Sequence, residues 1–290
     1  MPDVKEESAM FDYHVHTSFS ADSKLPMDVA CQAAIDKGVT EIAFTEHLDY
    51  FYPNCPLTFE FDYHDYARTV DELRKRFGDH LHILKAVEIG LHPSVKSRNE
   101  QFVRDHQFDF IIGSVHIADD LDLHNGDYFK GKQLDQALHL YFETVYHCVR
   151  DNPYFHVLGH LDLIKRYVHY LKADHTCIDW RRYDHLIAET LKELINTGRG
   201  IEINMSGYRY KLNCALPELP VIKLYRQLGG EIITIGSDAH HQAHIAHHFE
   251  QAYHLLVEVG FKYITVYREG QPRFISVGET RKPNERGTKR

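Results

Sequence analysis

Residues 11–22 read FDYHVHTSFSAD, a short apolar run that ends by setting His14 and His16 two residues apart. In a β-strand successive side chains alternate between faces, so these two imidazoles share one face with backbone positions about 6.6 Å apart. Two imidazoles so placed can converge on one metal ion or on two neighbouring ions. On a half-exposed strand they are equally ordinary polar residues, and the rest of the chain must decide.

Working outward, the same pattern returns at one strand end after another. The spacing predicts strands at 41–47 (EIAFTEH), 81–90 (LHILKAVEIG), 108–116 (FDFIIGSVH), 155–160 (FHVLGH), 200–207 (GIEINMSG) and 231–240 (EIITIGSDAH). Helices are predicted at 26–37, 65–77, 98–106, 134–150, 180–197, 217–228 and 247–259, with Gly38 and Gly198 placed to end two of them. A hairpin is expected at 262–277, and the basic tail 281–290 is expected to be disordered. Residues 1–280 read as one domain, without an internal repeat or linker. The Pro- and aromatic-rich segment 53–66 is expected to form a lid or side wall.

Seven alternations of strand and helix indicate an α/β fold with a mainly parallel sheet. An open doubly wound sheet and a closed barrel both fit that alternation, and the polar residues choose between them. His14, His16, His47, Glu88, His116, His160, Asp238 and His240 all sit at C-terminal strand ends. Only a closed barrel gathers so many strand ends around one mouth, where barrel enzymes build their sites. The expected architecture is therefore a distorted (β/α)7 barrel in which HxH of the first strand adjoins DxH of the seventh. Each residue alone has a plain alternative as a loop polar group, a helix cap or a satisfied core histidine. Their coincidence at one end favours a metal site.

Composition limits what such a site can serve. Of 290 residues 43% are hydrophobic and 26% charged, the balance of a soluble globular chain. The net charge of −9 argues against nucleic acid or an anionic membrane as partner. Five scattered cysteines without a CxxC give neither a zinc knuckle nor a disulfide framework, so a reducing cytoplasm is expected. MPDVKEESAM is too polar for a signal peptide, and no apolar run reaches membrane-spanning length. Many of the 23 histidines, His80, His124 and His139 among them, are expected to be solvated bystanders. The oligomeric state has no sequence signal.

The ordered set HVHTSFSAD, TEH, VEIG, IGSVHI, GHLDLI, INMSGYR and GSDAH, within about residues 11–240, resembles the polymerase-and-histidinol-phosphatase (PHP) superfamily, and within it the histidinol-phosphatases. The resemblance implies a distorted seven-stranded barrel with three divalent metals. It implies that His14, His16, Glu88 and Asp238 hold one metal, that Glu88 bridges to a second held by His116 and His160, and that Asp22, His47 and His240 hold the third. Several relatives carry His where this chain has Asp22, and a hard oxygen there tilts the third site towards Mn, Fe or Mg. The substrate it implies is L-histidinol phosphate, a small phosphate ester.

Mixed imidazole and carboxylate sets suit Zn, Mn or Fe better than Ca. Metal binding lowers a water's pKa to about 7, so a bridging hydroxide is the expected nucleophile for in-line attack on the ester. Asp238 and His240 are the expected catalytic pair, with His240 or a metal-bound water as donor to the leaving alkoxide. Arg209, in SGYR, and Arg166 are candidate phosphate clamps, because a guanidinium meets phosphate through two parallel hydrogen bonds. Ser114 and Asn204 are expected to support the ligands.

Rival signatures are weak. No Cys is followed six residues later by Arg, and DDLDLH at 119–124 reads as a solvated loop rather than an aspartyl-phosphate site. A PHP-type nuclease, a phosphotyrosine-protein phosphatase and a non-catalytic metal-stabilised module stand as alternatives.

Overall fold

The computed structural model describes residues 9–279, so the tail expected at 281–290 lies outside the described residues. The elements run β1 (Phe11–Val15), α1 (Met27–Asp36), β2 (Glu41–Leu48), α2 (Tyr63–Phe77), β3 (His82–Gly90), α3 (Lys96–Asp105) and β4 (Phe110–Ser114). After a two-residue ribbon of β5 (Ile117–Ala118) and β6 (Leu121–Asp122) come α4 (Leu134–Asp151), β7 (Val157–Leu158), α5 (Asp184–Asn196) and β8 (Gly200–Asn204). The chain continues through α6 (Leu219–Gln227), β9 (Ile233–Gly236), α7 (Phe249–Val259) and the hairpin β10 (Tyr263–Arg268) and β11 (Gln271–Ser276).

Seven parallel strands follow the order β1-β2-β3-β4-β7-β8-β9. Val15 bridges Ala239 in parallel just past β9, and the His16 amide donates to the Ala239 carbonyl at 2.8 Å, which closes the ring. The Asp12 carboxylate strengthens the seam by accepting from the amides of Ser237 and Ala246, each at 2.9 Å. The closed barrel expected from the ligand pattern is thus the observed one.

The helices pack outside it on apolar stripes. Those of α2 are Tyr66, Val70, Leu73 and Phe77, spaced four, three and four residues apart as one helical face requires. Asp62 caps this helix by accepting from the Asp65 amide at 3.0 Å. No helix among the described residues is long and apolar enough to cross a membrane.

The expected strands 108–116, 155–160, 200–207 and 231–240 are all shorter in the structure, and the second and fourth break off where site residues leave the ladder. The run 155–160 pairs only at Val157 and Leu158; the Gly159 amide still donates to the Gly113 carbonyl at 2.9 Å, and the chain leaves the ladder at His160, which turns onto Glu88. The run 231–240 ends at Gly236, and Asp238 then takes a left-handed φ of 54°. Such a conformation costs a non-glycine residue about 1–3 kcal/mol and is found where a site demands it. The barrel is narrow here: a side chain at Gly236 would run into the Glu202 carboxylate and His14.

The hairpin β10–β11 plugs the opposite, N-terminal end. Tyr267 packs against Tyr13, Phe110 and His156, and its amide donates to the Tyr13 hydroxyl at 2.7 Å. His156 accepts from the Ile111 amide through Nδ1 at 2.9 Å. Burial pushes its imidazole down to about 4. The folded value lies below the unfolded one of about 6.5, so the unfolded chain takes the proton first as pH falls. This residue therefore leaves stability unaffected above pH 6.5 and removes about 2.5 kcal/mol by pH 4.5. Denaturant titrations of wild type and His156→Gln at both pH values should show the wild type losing more, by roughly that amount.

Candidate metal centre

The C-terminal mouth collects a nest of buried ligand groups. His14 points inward from β1 and His16 follows it; both are fully buried, with their Nε2 atoms 3.0 Å apart. His47 near the end of β2 stacks on His16 at 4.1 Å between ring centroids, His240 stacks on the same ring at 4.3 Å, and the His47 and His240 centroids are 5.9 Å apart.

Glu88, on β3, is the hub. Its Oε1 accepts from the Ser114 hydroxyl at 2.6 Å and lies 2.9 Å from His160 Nε2 and 3.4 Å from His116 Nε2. Its Oε2 lies 3.3, 3.4 and 3.1 Å from ring nitrogens of His14, His16 and His47. One carboxylate thus faces two different sets of imidazoles. Burial alone would push it up, but the charges of His14, His47 and His116 outweigh that and hold it well below the usual carboxylate range.

Glu88 Oε2, His47 Nδ1 and His160 Nδ1 are buried without hydrogen-bond partners, a costly arrangement unless something else satisfies them. Four triads hold ligand atoms within 4.8 Å of one another: His14–His16–Glu88, Glu88–His116–His160, His16–His47–His240 and His47–Asp49–His116. The residues present fit a cluster of cations. Asp238 stands at the edge, with Oδ1 3.7 Å from His16 Nε2, and Asp22 is 3.3 Å from His240 Nε2 and 3.6 Å from His47 Nε2.

The loops are tied so that these rings cannot drift. Glu46, buried beside His47, accepts from the Thr17 amide and hydroxyl at 3.0 and 2.6 Å and from the Ser20 hydroxyl at 2.6 Å. Ser20 Oγ in turn accepts from the His47 amide at 3.0 Å. The TEH and HTSFS motifs therefore brace each other.

Above the cluster lies a cavity of about 390 Å³, with Glu88, His116, His160 and Asp238 among its lining residues. That volume suits a small ligand. The segment 53–66 supplies Asn54, Cys55, Pro56, Leu57 and Phe59 to its wall. Arg166 lines it too, donating to the Ser206 hydroxyl at 2.6 Å, with its guanidinium 3.9 Å above the Tyr210 ring and 3.4 Å from Asp238 Oδ2. Its Nε is buried without a partner.

A family model of the PHP domain matches residues 12–206. The chain belongs to the PHP family. Among its PHP relatives, the probable histidinol-phosphatase of Clostridium acetobutylicum is 33% identical over 243 residues, covering 84% of this chain and 91% of the relative. The histidinol-phosphatase of Lactococcus lactis is 30% identical over 231 residues, covering 79% and 83%. The crystal structure of histidinol phosphate phosphatase from Lactococcus lactis, complexed with zinc, L-histidinol and phosphate, superposes with a TM-score of 0.82 at 26% identity, covering 92% of this chain and 99% of that one. With the buried triads, this likeness makes the cluster of this PHP protein a divalent-metal centre.

Several PHP site residues stand where spacing alone does not put them. Arg209, an expected clamp, lies outside the cavity lining; one terminal nitrogen meets the Ser237 carbonyl and the other donates to the Asp238 carbonyl at 2.5 Å. Asp49 and Glu202 were not anticipated. Asp49 sits 2.7 Å from His116 Nδ1 and Glu202 sits 2.6 Å from His14 Nδ1, each turning the opposite ring nitrogen towards Glu88. Burial would lower the His116 imidazole, but Asp49 and then Glu88 raise it to about 10. Carboxylates behind ligand histidines fix the tautomer and ring orientation. Their signal was present: acidic residues at alternate positions of otherwise apolar runs, in His47-Leu48-Asp49 and Gly200-Ile201-Glu202.

The supporting roles expected of Ser114 and Asn204 have their counterparts in the hydrogen bond to Glu88 and in Asn204 Nδ2, 3.2 Å from Glu202 and 3.5 Å from Asp238. One expectation is corrected. DDLDLH is not wholly solvated, because the β5–β6 ribbon folds Asp122 inward to 3% exposure, where it and His124 line the cavity.

Proposed function

We propose that this PHP protein hydrolyses L-histidinol phosphate to L-histidinol and phosphate. The observation that carries the reading is a small cavity with a cluster of buried ligands as its floor and one guanidinium in its wall. The histidinol-phosphatase relatives and the zinc, L-histidinol and phosphate complex of the Lactococcus lactis enzyme support it.

We assign three divalent ions, Zn, Mn or Fe, to His14, His16, Glu88 and Asp238, to Glu88, His116 and His160, and to Asp22, His47 and His240. When bound, these metals neutralise charge on the phosphate oxygens and activate water as the nucleophile. Glu88 ties two of the sets together through its separate oxygens. Arg166 orients the phosphate from the wall, its direction set by Ser206 and Tyr210. Arg209 acts indirectly, holding the backbone that carries Asp238. Asp238 and His240, with Oδ1 and Nδ1 3.5 Å apart at the rim, handle the proton that the departing alkoxide needs. A carbinol-sized leaving group and the net charge of −9 leave a polynucleotide poorly served.

Phosphate release from L-histidinol phosphate, phosphotyrosine, p-nitrophenyl phosphate and oligonucleotides tests the reading. L-Histidinol phosphate should lead in kcat/KM by roughly 100-fold or more, since a site shaped around polar groups rejects analogues lacking them. Equal rates on p-nitrophenyl phosphate would overturn the substrate and leave a general phosphomonoesterase.

A further inference from the structure

The turn that carries Arg166 is held from behind by a buried charge. Leu163–Arg166 form a 3-10 turn shortly after His160. Lys165, next to the guanidinium that lines the cavity, has its ammonium fully buried. Its three N–H groups meet three acceptors: Asp162 Oδ2 at 2.9 Å, Glu218 Oε1 at 3.2 Å and the Ala215 carbonyl at 2.9 Å. Asp162 opens the same turn, whereas Ala215 and Glu218 come from the stretch that follows β8.

That stretch is also where Arg166 finds its partners. Ser206, which accepts from the guanidinium, lies in the turn Met205–Tyr208, and Tyr210, which stacks on it, follows directly. The turn and residues 214–218 are packed as one piece. Asn204 and Leu216 exchange backbone hydrogen bonds at 2.8 and 2.9 Å, and Gly207 leaves no room for a side chain against the Cys214 carbonyl. Asp162 Oδ2 ties the piece back by accepting from the Glu218 amide at 3.0 Å. One ammonium therefore joins the segment that bears Arg166 to the segment that aims it.

Stability does not require such a network. An ammonium and a carboxylate taken out of water can lose more hydration than their attraction returns, and apolar residues of like volume can serve a core as well. Asp162 even keeps Oδ1 buried without a hydrogen bond. What three directed bonds supply, and apolar packing does not, is a fixed separation between two segments. We infer that Lys165 is a positioning residue for phosphate binding: its buried ammonium sets the turn of Arg166 against the loop of Ser206 and Tyr210. The inference rests on the reading of Arg166 as the phosphate clamp in the function proposed above.

The test is a double-mutant cycle on phosphate affinity, read by titrating inorganic phosphate calorimetrically into the metal-loaded protein. Lys165→Met combined with Asp162→Asn removes both buried charges at nearly constant volume and should leave metal content and Tm near the wild-type values. Affinity for phosphate should fall about tenfold, within the range that a misplacement of about an ångström can cost. In an Arg166→Ala background the same pair should change it less than about twofold, because no guanidinium is left to misplace. A merely structural role would act equally in both backgrounds. Glu218→Ala, at the half-buried end of the network, releases the loop while Lys165 keeps Asp162, and it is read in the same cycle should the paired variant not fold. Equal losses in both backgrounds, or none in either, overturn Lys165 as a positioning residue and leave the proposed function standing. Phosphate affinity unaltered by Arg166→Ala alone overturns the clamp, and this inference with it. Absence of turnover of L-histidinol phosphate would overturn the proposed substrate, and the cycle, which needs no turnover, still decides the role of Lys165.

Discussion

Glu88→Gln should cost the protein metal and activity together, with kcat falling roughly 10³- to 10⁴-fold, the factor given by several kcal/mol of lost charge stabilisation. The side chain keeps its size, so the effect is one of charge and donor pattern. In the wild type both oxygens accept, one facing His116, His160 and the Ser114 hydroxyl, the other facing His14, His16 and His47. The amide turns one of these into a donor pointed at ligand nitrogens and removes the negative charge that offsets the cations expected there. Elemental analysis of gently purified protein should show at least one metal equivalent missing. A variant with its full metal complement and activity within about tenfold of wild type would show that Glu88 supports the barrel without bridging ions.

The second large effect separates the two arginines. Arg166→Ala should lower kcat/KM about 10- to 100-fold, the range for losing a charged hydrogen bond. It should act mainly through KM, weaken inhibition by inorganic phosphate, and leave the metals in place. Arg166→Lys should recover only part, because a point charge reproduces neither the fork nor the packing on Tyr210 at 3.9 Å. Arg209→Ala should behave differently. Its fork is already engaged by the carbonyls of Ser237 and Asp238, so its loss frees the left-handed turn that carries Asp238. The expected signature is lower metal occupancy and lower kcat, with phosphate inhibition of the loaded enzyme little altered. Metal content, phosphate inhibition and kcat/KM on the three variants decide the matter, and the reverse pattern would return the clamp to Arg209.

Both predictions depend on where local spacing stops being informative. Arg209 and Arg166 look alike in the chain, each following a strand and each able to reach the mouth. Their difference lies in partners: Arg209 meets carbonyls 28 and 29 residues away, on the neighbouring strand's exit. A long side chain ends wherever its acceptors are, and acceptors brought by another strand leave no mark beside the arginine itself. The same holds for Asp122. Its neighbours Asp119 and Asp120 are exposed, and only the turn back through a two-residue ribbon separates it from them.

What the amino-acid sequence determined by itself was the barrel and the identities gathered at its mouth. Period-two alternation puts His14 and His16 on one face of a strand, and the recurrence of His, Glu and Asp at successive strand ends is satisfied by a closed ring and not by an open sheet. Those are short-range facts, set within a few residues by backbone geometry. Tertiary structure alone decided the orientation of each ring and the sides of the cavity. Asp49 behind His116, Glu202 behind His14 and Asp122 in the cavity wall owe their placement to residues 67, 188 and 70 positions distant. Hydrogen-bond direction and burial depend on contacts across the barrel, and only its closure creates those contacts.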